Sequence, residues 1–317
     1  MARDARDAPP SPDDVIVPFQ VGEDPSAAPI RGRVVRLGGA ADDILARHPF
    51  ADGVNELLGE ALVLTAMMGS SLKFDGRLVL QAQGDGALRM LISDYASDGA
   101  LRATASVPDD FDAAAGRGLA ALVGEKGHVA VTVDQGPEMD RYQGVAPLEG
   151  ASFARVAVNY FAQSEQIPTA VRLAVGKIAR AGAPDRWRAG GIIAQFVPGE
   201  GGARERGEAA LMEASDRDAW ERAAAFLETT RDDELIDPNV APETLLYRLY
   251  HEDGVRVFPA QPVRAACGCN ADKIAAVLSR YPQDDLEDML EDGVIRVTCE
   301  FCRTEYRFGP DGAPIAT

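Results

Sequence analysis

Every cysteine of the chain lies in one of two tight pairs, Cys267-Gly268-Cys269 and Cys299-Glu300-Phe301-Cys302, and both pairs fall within Pro259 to Thr317. That segment holds few large apolar residues and many acids. About 50 residues with so thin a core seldom fold without a staple. Two close thiolate pairs joined by a longer insert are the usual spacing of a structural zinc site, where four soft anionic ligands surround the ion as a tetrahedron. Zinc is therefore the expected metal, and Cys267, Cys269, Cys299 and Cys302 are the candidate ligands. Gly268 is expected to permit the tight backbone that lets residues two apart face one ion. Val294 to Thr298 before the second pair and Tyr306 to Phe308 after it predict a strand, a knuckle and a returning strand.

Other uses of paired cysteines match less well. An iron–sulfur cluster also takes four thiolates, but no family spacing of that kind fits. A thioredoxin-type dithiol should follow a strand early in a βαβ unit and open a helix, whereas this C-x-x-C sits among strand signals. A permanently reduced zinc site that merely holds a small domain together remains open on the cysteines alone.

The rest of the chain predicts an α+β fold. Val15 to Val21 and Ile30 to Leu37 are short apolar stretches, and Asn55 to Met68 has the spacing of a helix with one apolar side. Asp75-Gly76, Gly84-Asp85-Gly86 and Asp98-Gly99 punctuate apolar segments in the manner of an antiparallel meander. His128 to Val133 and Gly191 to Val197 read as further strands, and Phe153 to Gln163 as a helix. Strands and helices come in blocks without regular βαβ alternation. Pro198 to Gly207 is a polar, glycine-rich boundary. Beyond it, Glu208 to Thr230 predicts an amphipathic helix with Leu211, Met212, Trp220, Ala223, Ala224 and Leu227 on one broad face. Pro242 suits the first turn of another helix, Pro242 to Tyr250.

Charge and composition narrow the function classes. Of 317 residues, 50 are Asp or Glu against 32 Lys or Arg, and the net charge of -18 opposes adsorption to nucleic acid or an anionic membrane. Met1 to Asp14 is polar and proline-rich with no apolar signal region, so a loose tail is expected. The most apolar run, Ala61 to Met68, is far shorter than the roughly 20 residues that span a bilayer. The expected location is the cytoplasm, where stable disulfides are not expected at rest.

Several weaker signals carry no chemistry. His251-Glu252-Asp253 reads as a helix end and turn, and no catalytic partner is spaced to meet it. Ser164 lacks a nucleophile elbow, and the glycines of Gly199 to Gly202 and Gly124 to Gly127 lack the order of a phosphate-binding loop. Asp284 to Asp292 reads as a helix with a solvated acidic face, since it lacks calcium-loop spacing. The chain is not expected to be an enzyme.

Specific motifs go further than these patterns. Leu72 to Gly86 (LKFDGRLVLQAQGDG), Tyr160 to Thr169 (YFAQSEQIPT), Gly190 to Pro198 (GGIIAQFVP), Leu245 to Pro262 (LLYRLYHEDGVRVFPAQP), Cys267 to Cys269 and Cys299 to Phe308 (CEFCRTEYRF) occur in one order along the chain. Together they make Val15 to Phe308 strongly resemble the 33 kDa heat-shock protein family of redox-regulated chaperones. Two features depart from the family: Asn270-Ala271-Asp272-Lys273 follows the first pair, where serine and arginine are frequent, and the acidic, proline-rich tail is extra.

The resemblance implies an N-terminal mixed sheet-and-helix domain, a helical linker and a small C-terminal zinc-binding redox-switch domain. On this sequence the expected bounds are 1–14 for a flexible tail, 15–207 for the core domain, 208–258 for the linker and 259–317 for the zinc domain. It also implies one zinc ion held by Cys267, Cys269, Cys299 and Cys302 in an inactive reduced monomer. Oxidation by peroxide with mild heat, or by hypochlorous acid, is then expected to form disulfides within the pairs Cys267–Cys269 and Cys299–Cys302. The zinc is then expected to leave, the C-terminal domain and linker to unfold, and a homodimer to hold unfolding client proteins without ATP. The physical logic is that zinc keeps cysteines ionised at neutral pH, and the thiolate is the form that oxidants attack. The contrasting expectation is a constitutive zinc-stapled interaction module without a switch.

Overall fold

The computed structural model describes residues 3–4, 13–22, 30–72, 75–108, 110–111, 116–124, 126–136, 139–148, 152–180, 182–197 and 214–315. The chain divides into two compact units, Met1–Ala265 and Ala266–Thr317. The boundary segment from Pro198 and the start of the expected linker helix, through residue 213, lie outside the described residues, as does most of the expected tail.

The first unit begins with β1 (Arg3–Asp4), β2 (Val15–Val21) and β3 (Ile30–Leu37), then α1 (Gly39–Leu45) and α2 (Asp52–Gly69). A meander of β4 (Arg77–Gln83), β5 (Met90–Ala96) and β6 (Ala100–Ser106) follows, then α3 (Leu119–Val123), β7 (His128–Asp134) and β8 (Tyr142–Pro147). After α4 (Phe153–Tyr160) and one π-helical turn at Phe161–Glu165 come the long strands β9 (Thr169–Arg180) and β10 (Ala183–Phe196). Three helices, α5 (Ala214–Glu228), α6 (Asp232–Ile236) and α7 (Pro242–Tyr250), precede β11 (Val255–Val257), β12 (Gln261–Pro262) and β13 (Arg264–Ala265).

These strands make two sheets. One runs in the order β1-β11-β2-β3-β10-β9, with β12 also on β2, and the other in the order β13-β6-β5-β4-β7-β8. The meander alternates: Leu78, Leu80 and Ala82 are buried on β4 while the residues between them are half-exposed, the mark of a sheet covered on one face. Of the three Asp-Gly signals, only Asp98-Gly99 forms a tight hairpin, with Gly99 at φ +85°. Asp75-Gly76 ends the α2 to β4 connection instead, and Gly84 to Gly86 lies in a longer loop.

The β2, β3 and β10 strands are buried on both sides. Ile16, Val35, Leu37, Ala189 and Ile193 join a core with α1 and α2, whereas Val15, Val17, Phe19, Ile192, Ala194 and Phe196 join a second core with α5 and α7. Helix α2 packs against β9 and β10 on one side and the meander on the other. Fourteen of its eighteen residues are therefore buried, and the single apolar side expected from the sequence is in fact an apolar circumference.

Glu60 is the charged exception on α2. Burial pushes its carboxyl up to about 7, aided by the charges of Glu56 and Asp232 and opposed by a hydrogen bond from the Phe153 backbone N–H. The native state then binds this proton more tightly than the unfolded chain does, so stability is lost as pH rises from the ordinary 4.5 toward 7. Glu60→Gln should stabilise the protein by about 1–3 kcal/mol at pH 8 and by little near pH 4.5. Denaturant unfolding of both proteins at the two pH values checks this, and an equal difference at both would count against it.

The second core is where the expected linker helix lies. Ala223 and Leu227 of α5 are buried and Trp220 is partly buried against the sheet, as its amphipathic pattern requires. Leu245, Leu246, Leu249 and Tyr250 of α7 complete that layer. Between them α6 is clasped by two guanidinium groups. Arg188 Nε donates to Ile236 O at 2.6 Å, and Arg36 donates to Glu234 O at 3.2 Å and to Asp237 O. Carbonyls at a helix end have no partner within the helix, so these contacts satisfy what α6 leaves open.

Asp13 grips Arg188 from behind with both oxygens, at 2.8 and 2.6 Å, and this ion pair holds its carboxyl below the usual range. Asp14 accepts from Gly38 N and Ala40 N at 2.8 and 2.9 Å, supplying the N-terminal cap that α1 lacks. Residues Asp13 and Asp14, read from sequence as the end of a loose tail, are thus fixed.

In β10 the pair Gly190-Gly191 lets both layers approach the sheet. A Cβ at Gly190 would lie 2.1 Å from Leu235 O of α6, and one at Gly191 would lie 2.7 Å from Arg172 O of β9 and 2.8 Å from Met67 and Val63 of α2. Any side chain at Gly190 collides with backbone.

The second unit holds α8 (Ala271–Leu278), α9 (Gln283–Asp288), and a three-stranded sheet of β14 (Leu290–Glu291), β15 (Val294–Thr298) and β16 (Glu305–Phe308). The acidic run at 284–292 is helical only to Asp288 and then enters β14. Among the described residues its core has four buried side chains, Leu278, Leu286, Ile295 and Phe308.

Candidate metal centre

The second cysteine pair occupies the turn of a hairpin. Strands β15 and β16 pair up to Thr298 with Glu305, and the loop is closed by Cys299 N to Thr304 O at 2.9 Å and Arg303 N to Cys299 O at 2.8 Å. Arg303 takes the left-handed conformation at φ 60° to make the turn. The first pair precedes α8, whose first turn is capped by the Asn270 side chain accepting from Lys273 N at 2.8 Å. Lys273 Nζ then folds back to donate to Gly268 O at 2.6 Å, tying the start of α8 to the backbone between the two cysteines. Gly268 itself is not required. Its φ is not in the left-handed region, and an added Cβ would meet only Lys273 Nζ at 3.7 Å, an ordinary contact, because the neighbouring backbone is open there.

The four sulfurs converge. All lie within 4.8 Å of one another, with Cys267 Sγ 3.7 Å from Cys299 Sγ and Cys269 Sγ 3.3 Å from Cys302 Sγ. No disulfide joins them. An ion with sulfur bonds of ~2.3 Å in a tetrahedron spaces its ligands ~3.8 Å apart, so the four residues fit such an ion with small adjustments. Cys267, Cys269, Cys299 and Cys302 could therefore hold a metal ion.

Two hydroxyls that the sequence reading passed over meet this cluster. Tyr306 Oη lies 3.2 Å from Cys269 Sγ and 3.3 Å from Cys269 O, and Thr304 Oγ1 lies 3.2 Å from Cys302 Sγ. Thr304 closes the turn just before β16 and Tyr306 lies within that strand, so the short return from the second cysteine pair is the signal that could have marked them. Their influence on the thiols is opposite in outcome. Burial pushes Cys269 up to about 12 against the lowering effect of Tyr306. Burial also opposes ionisation of Cys302, but hydrogen bonds involving the Thr304 side chain and backbone, together with those from Cys269 and Cys299, outweigh it and hold that thiol at about 6. Burial raises Cys299 as well. A cluster that must crowd negative charge onto few sulfurs is suited to a cation at its centre.

The fold and the cysteine cluster together define an α+β protein with a small unit built around a candidate four-sulfur metal site. The family model described as Hsp33 protein matches residues 19–309. The 33 kDa chaperonin of Caulobacter vibrioides is 47% identical, with 95% of this chain and 96% of the relative covered. That of Chromobacterium violaceum is 34% identical over 90% of this chain and 89% of its own length. The crystal structure of the 33 kDa chaperonin (heat shock protein 33 homolog) from Thermotoga maritima superposes with a TM-score of 0.73 over 94% of this chain and 96% of that one. At 21% identity that match concerns the fold. The chain belongs to the Hsp33 family.

Proposed function

We propose that the chain is an ATP-independent holdase chaperone switched on by oxidation, with one zinc ion bound in its reduced, inactive, monomeric form. The observation that carries this reading is the convergence of all four cysteines in a unit whose described core has only four buried side chains. When bound, zinc supplies a structural cross-link and keeps all four sulfurs ionised. The protein's own groups do the rest: Cys267, Cys269, Cys299 and Cys302 supply the electrons, and the turn at Cys299 to Thr304 and the cap at Asn270 hold them in place. Two sulfurs of a pair give two electrons to one hydrogen peroxide, forming one disulfide and two hydroxide ions. Pairing Cys267 with Cys269 and Cys299 with Cys302 leaves no thiolate for the ion.

Apparent zinc affinities of about 10–16 kcal/mol are folding free energy in small metal domains, more than such a unit can lose and stay folded. The segment that precedes it, α5 to α7, is the second moving part. Its release bares Val17, Phe19, Ile192, Ala194 and Phe196 of the first sheet for unfolding clients, and the oxidised protein dimerises. The net charge of -18 argues against nucleic acid or anionic lipid as partner. No described helix is long and apolar enough to cross a membrane, and a cytoplasmic setting suits a thiol switch kept reduced at rest. The relatives' name, chaperonin, agrees with a non-enzymatic role.

The test compares reduced protein with protein treated with peroxide at raised temperature. A chromogenic chelator reads zinc release, and light scattering reads aggregation of a thermally unfolded client. The expected result is release of one zinc per chain together with a gain of client protection. Equal protection in both states, or zinc retained after oxidation, would favour the constitutive module instead.

A further inference from the structure

Each cysteine pair has one sulfur within reach of a hydroxyl: Cys269 of Tyr306 on β16, and Cys302 of Thr304 just before it, where the thiol donates to Thr304 Oγ1 at 3.2 Å and the hydroxyl becomes the donor once the sulfur is ionised. The Tyr306 hydroxyl has one proton and two acceptors on the same residue, Cys269 Sγ at 3.2 Å and Cys269 O at 3.3 Å. An ionised sulfur is the stronger acceptor of the two, so in the zinc-bound state the proton goes to sulfur. Such a bond draws charge from the sulfur lone pair that an electrophile must reach. The ring also packs at the edge of the small core, which fixes the hydroxyl instead of leaving it to swing.

We propose that Tyr306 and Thr304 are positioning residues that shield Cys269 and Cys302, slowing attack by these two sulfurs and so setting which sulfur of each pair reacts first. This rests on the reading of the site as a zinc-thiolate switch. In the step concerned, a thiolate attacks the O–O bond of a hydroperoxide; a sulfur–oxygen bond forms, hydroxide leaves, and the sulfur is oxidised by two electrons to sulfenic acid. The other thiolate of the pair then displaces hydroxide from that sulfur to give the disulfide. The order of attack decides which sulfur is the sulfenic acid and which resolves it.

The experiment uses the full-length, reduced, zinc-loaded protein with iodoacetamide as probe, since alkylation forms one S–C bond, expels iodide and stops there. Mass spectrometry of peptides gives a rate for each cysteine, with Cys267 and Cys299 as internal references. In Tyr306→Phe, Cys269 should react roughly three- to tenfold faster relative to the references, the change expected for loss of one ordinary hydrogen bond. In Thr304→Val, Cys302 should do the same, which keeps the test open should one variant fold poorly. Unchanged relative rates in both variants overturn the proposal, and so does an equal rise at all four cysteines, which marks a merely loosened site. One zinc in the wild type with unchanged relative rates defeats this inference alone. A wild type that binds no zinc defeats the switch as well.

Discussion

Replacing Gly190 by valine should give a protein that holds clients while fully reduced and still loaded with zinc. The collision is with Leu235 O at 2.1 Å, a backbone atom that no rotamer change can remove, so α6 must lift from the sheet. Overpacking of this kind costs about 1–3 kcal/mol or more. When α6 lifts, Arg36 and Arg188 lose the carbonyls of Glu234, Ile236 and Asp237 at the same moment, which makes the loss cooperative. Hydrogen exchange should report lost protection across α6 and its neighbours, and aggregation assays should show protection without oxidant. Gly191→Ala is the matched control, because its Cβ presses on Arg172 O of β9 and on Met67 and Val63 of α2, away from α6; it should lower stability without activating. A Gly190→Val protein that opens α6 yet stays inactive when reduced would separate the linker from the switch.

Cys299→Ser is expected to cost the second unit its metal and its fold together. The serine oxygen is a poor partner for a soft ion, and the remaining core of Leu278, Leu286, Ile295 and Phe308 is small. Zinc stoichiometry should fall from one to near zero. Backbone protection should collapse through residues 266–317 while the strands of the first unit keep theirs, a loss on the scale of about 10 kcal/mol of binding free energy. A metal-free variant whose C-terminal unit remained protected would show that the cysteines are not its staple.

The convergence of the four cysteines was legible in the sequence, for a physical reason. Thiolates that bind an ion must be close in space, and close pairs on turns show this in their spacing; Val294 to Thr298 and the returning strand were legible because a short hairpin leaves few alternatives. The meander was legible because one covered face writes its alternation into Leu78, Leu80 and Ala82. What stayed hidden depends on contacts distant in the chain. The clasp on α6 joins Arg36 to residues some two hundred positions away and Arg188 to one 48 positions away, and nothing local distinguishes these arginines from solvated ones. The double burial of β2 and β10 was hidden too, since an apolar run does not say what covers each side. Gly190-Gly191 was visible as a motif, but its purpose needed both neighbouring layers. Gly268 was assigned a role that the open backbone around it does not need.

The segment carrying α5 to α7 leaves the sheet from β10 and returns to it through β11 on β2. While both anchors hold, its opening is the swelling of a tethered loop, not a departure. Loop closure depends only logarithmically on length, each doubling adding about 0.6 kcal/mol, so resealing draws on a high local concentration of its own docking surface. In the proposed holdase, recovery after stress is then governed by how soon clients vacate that surface and by the reductant that restores the sulfurs, while re-docking of the segment itself is intramolecular.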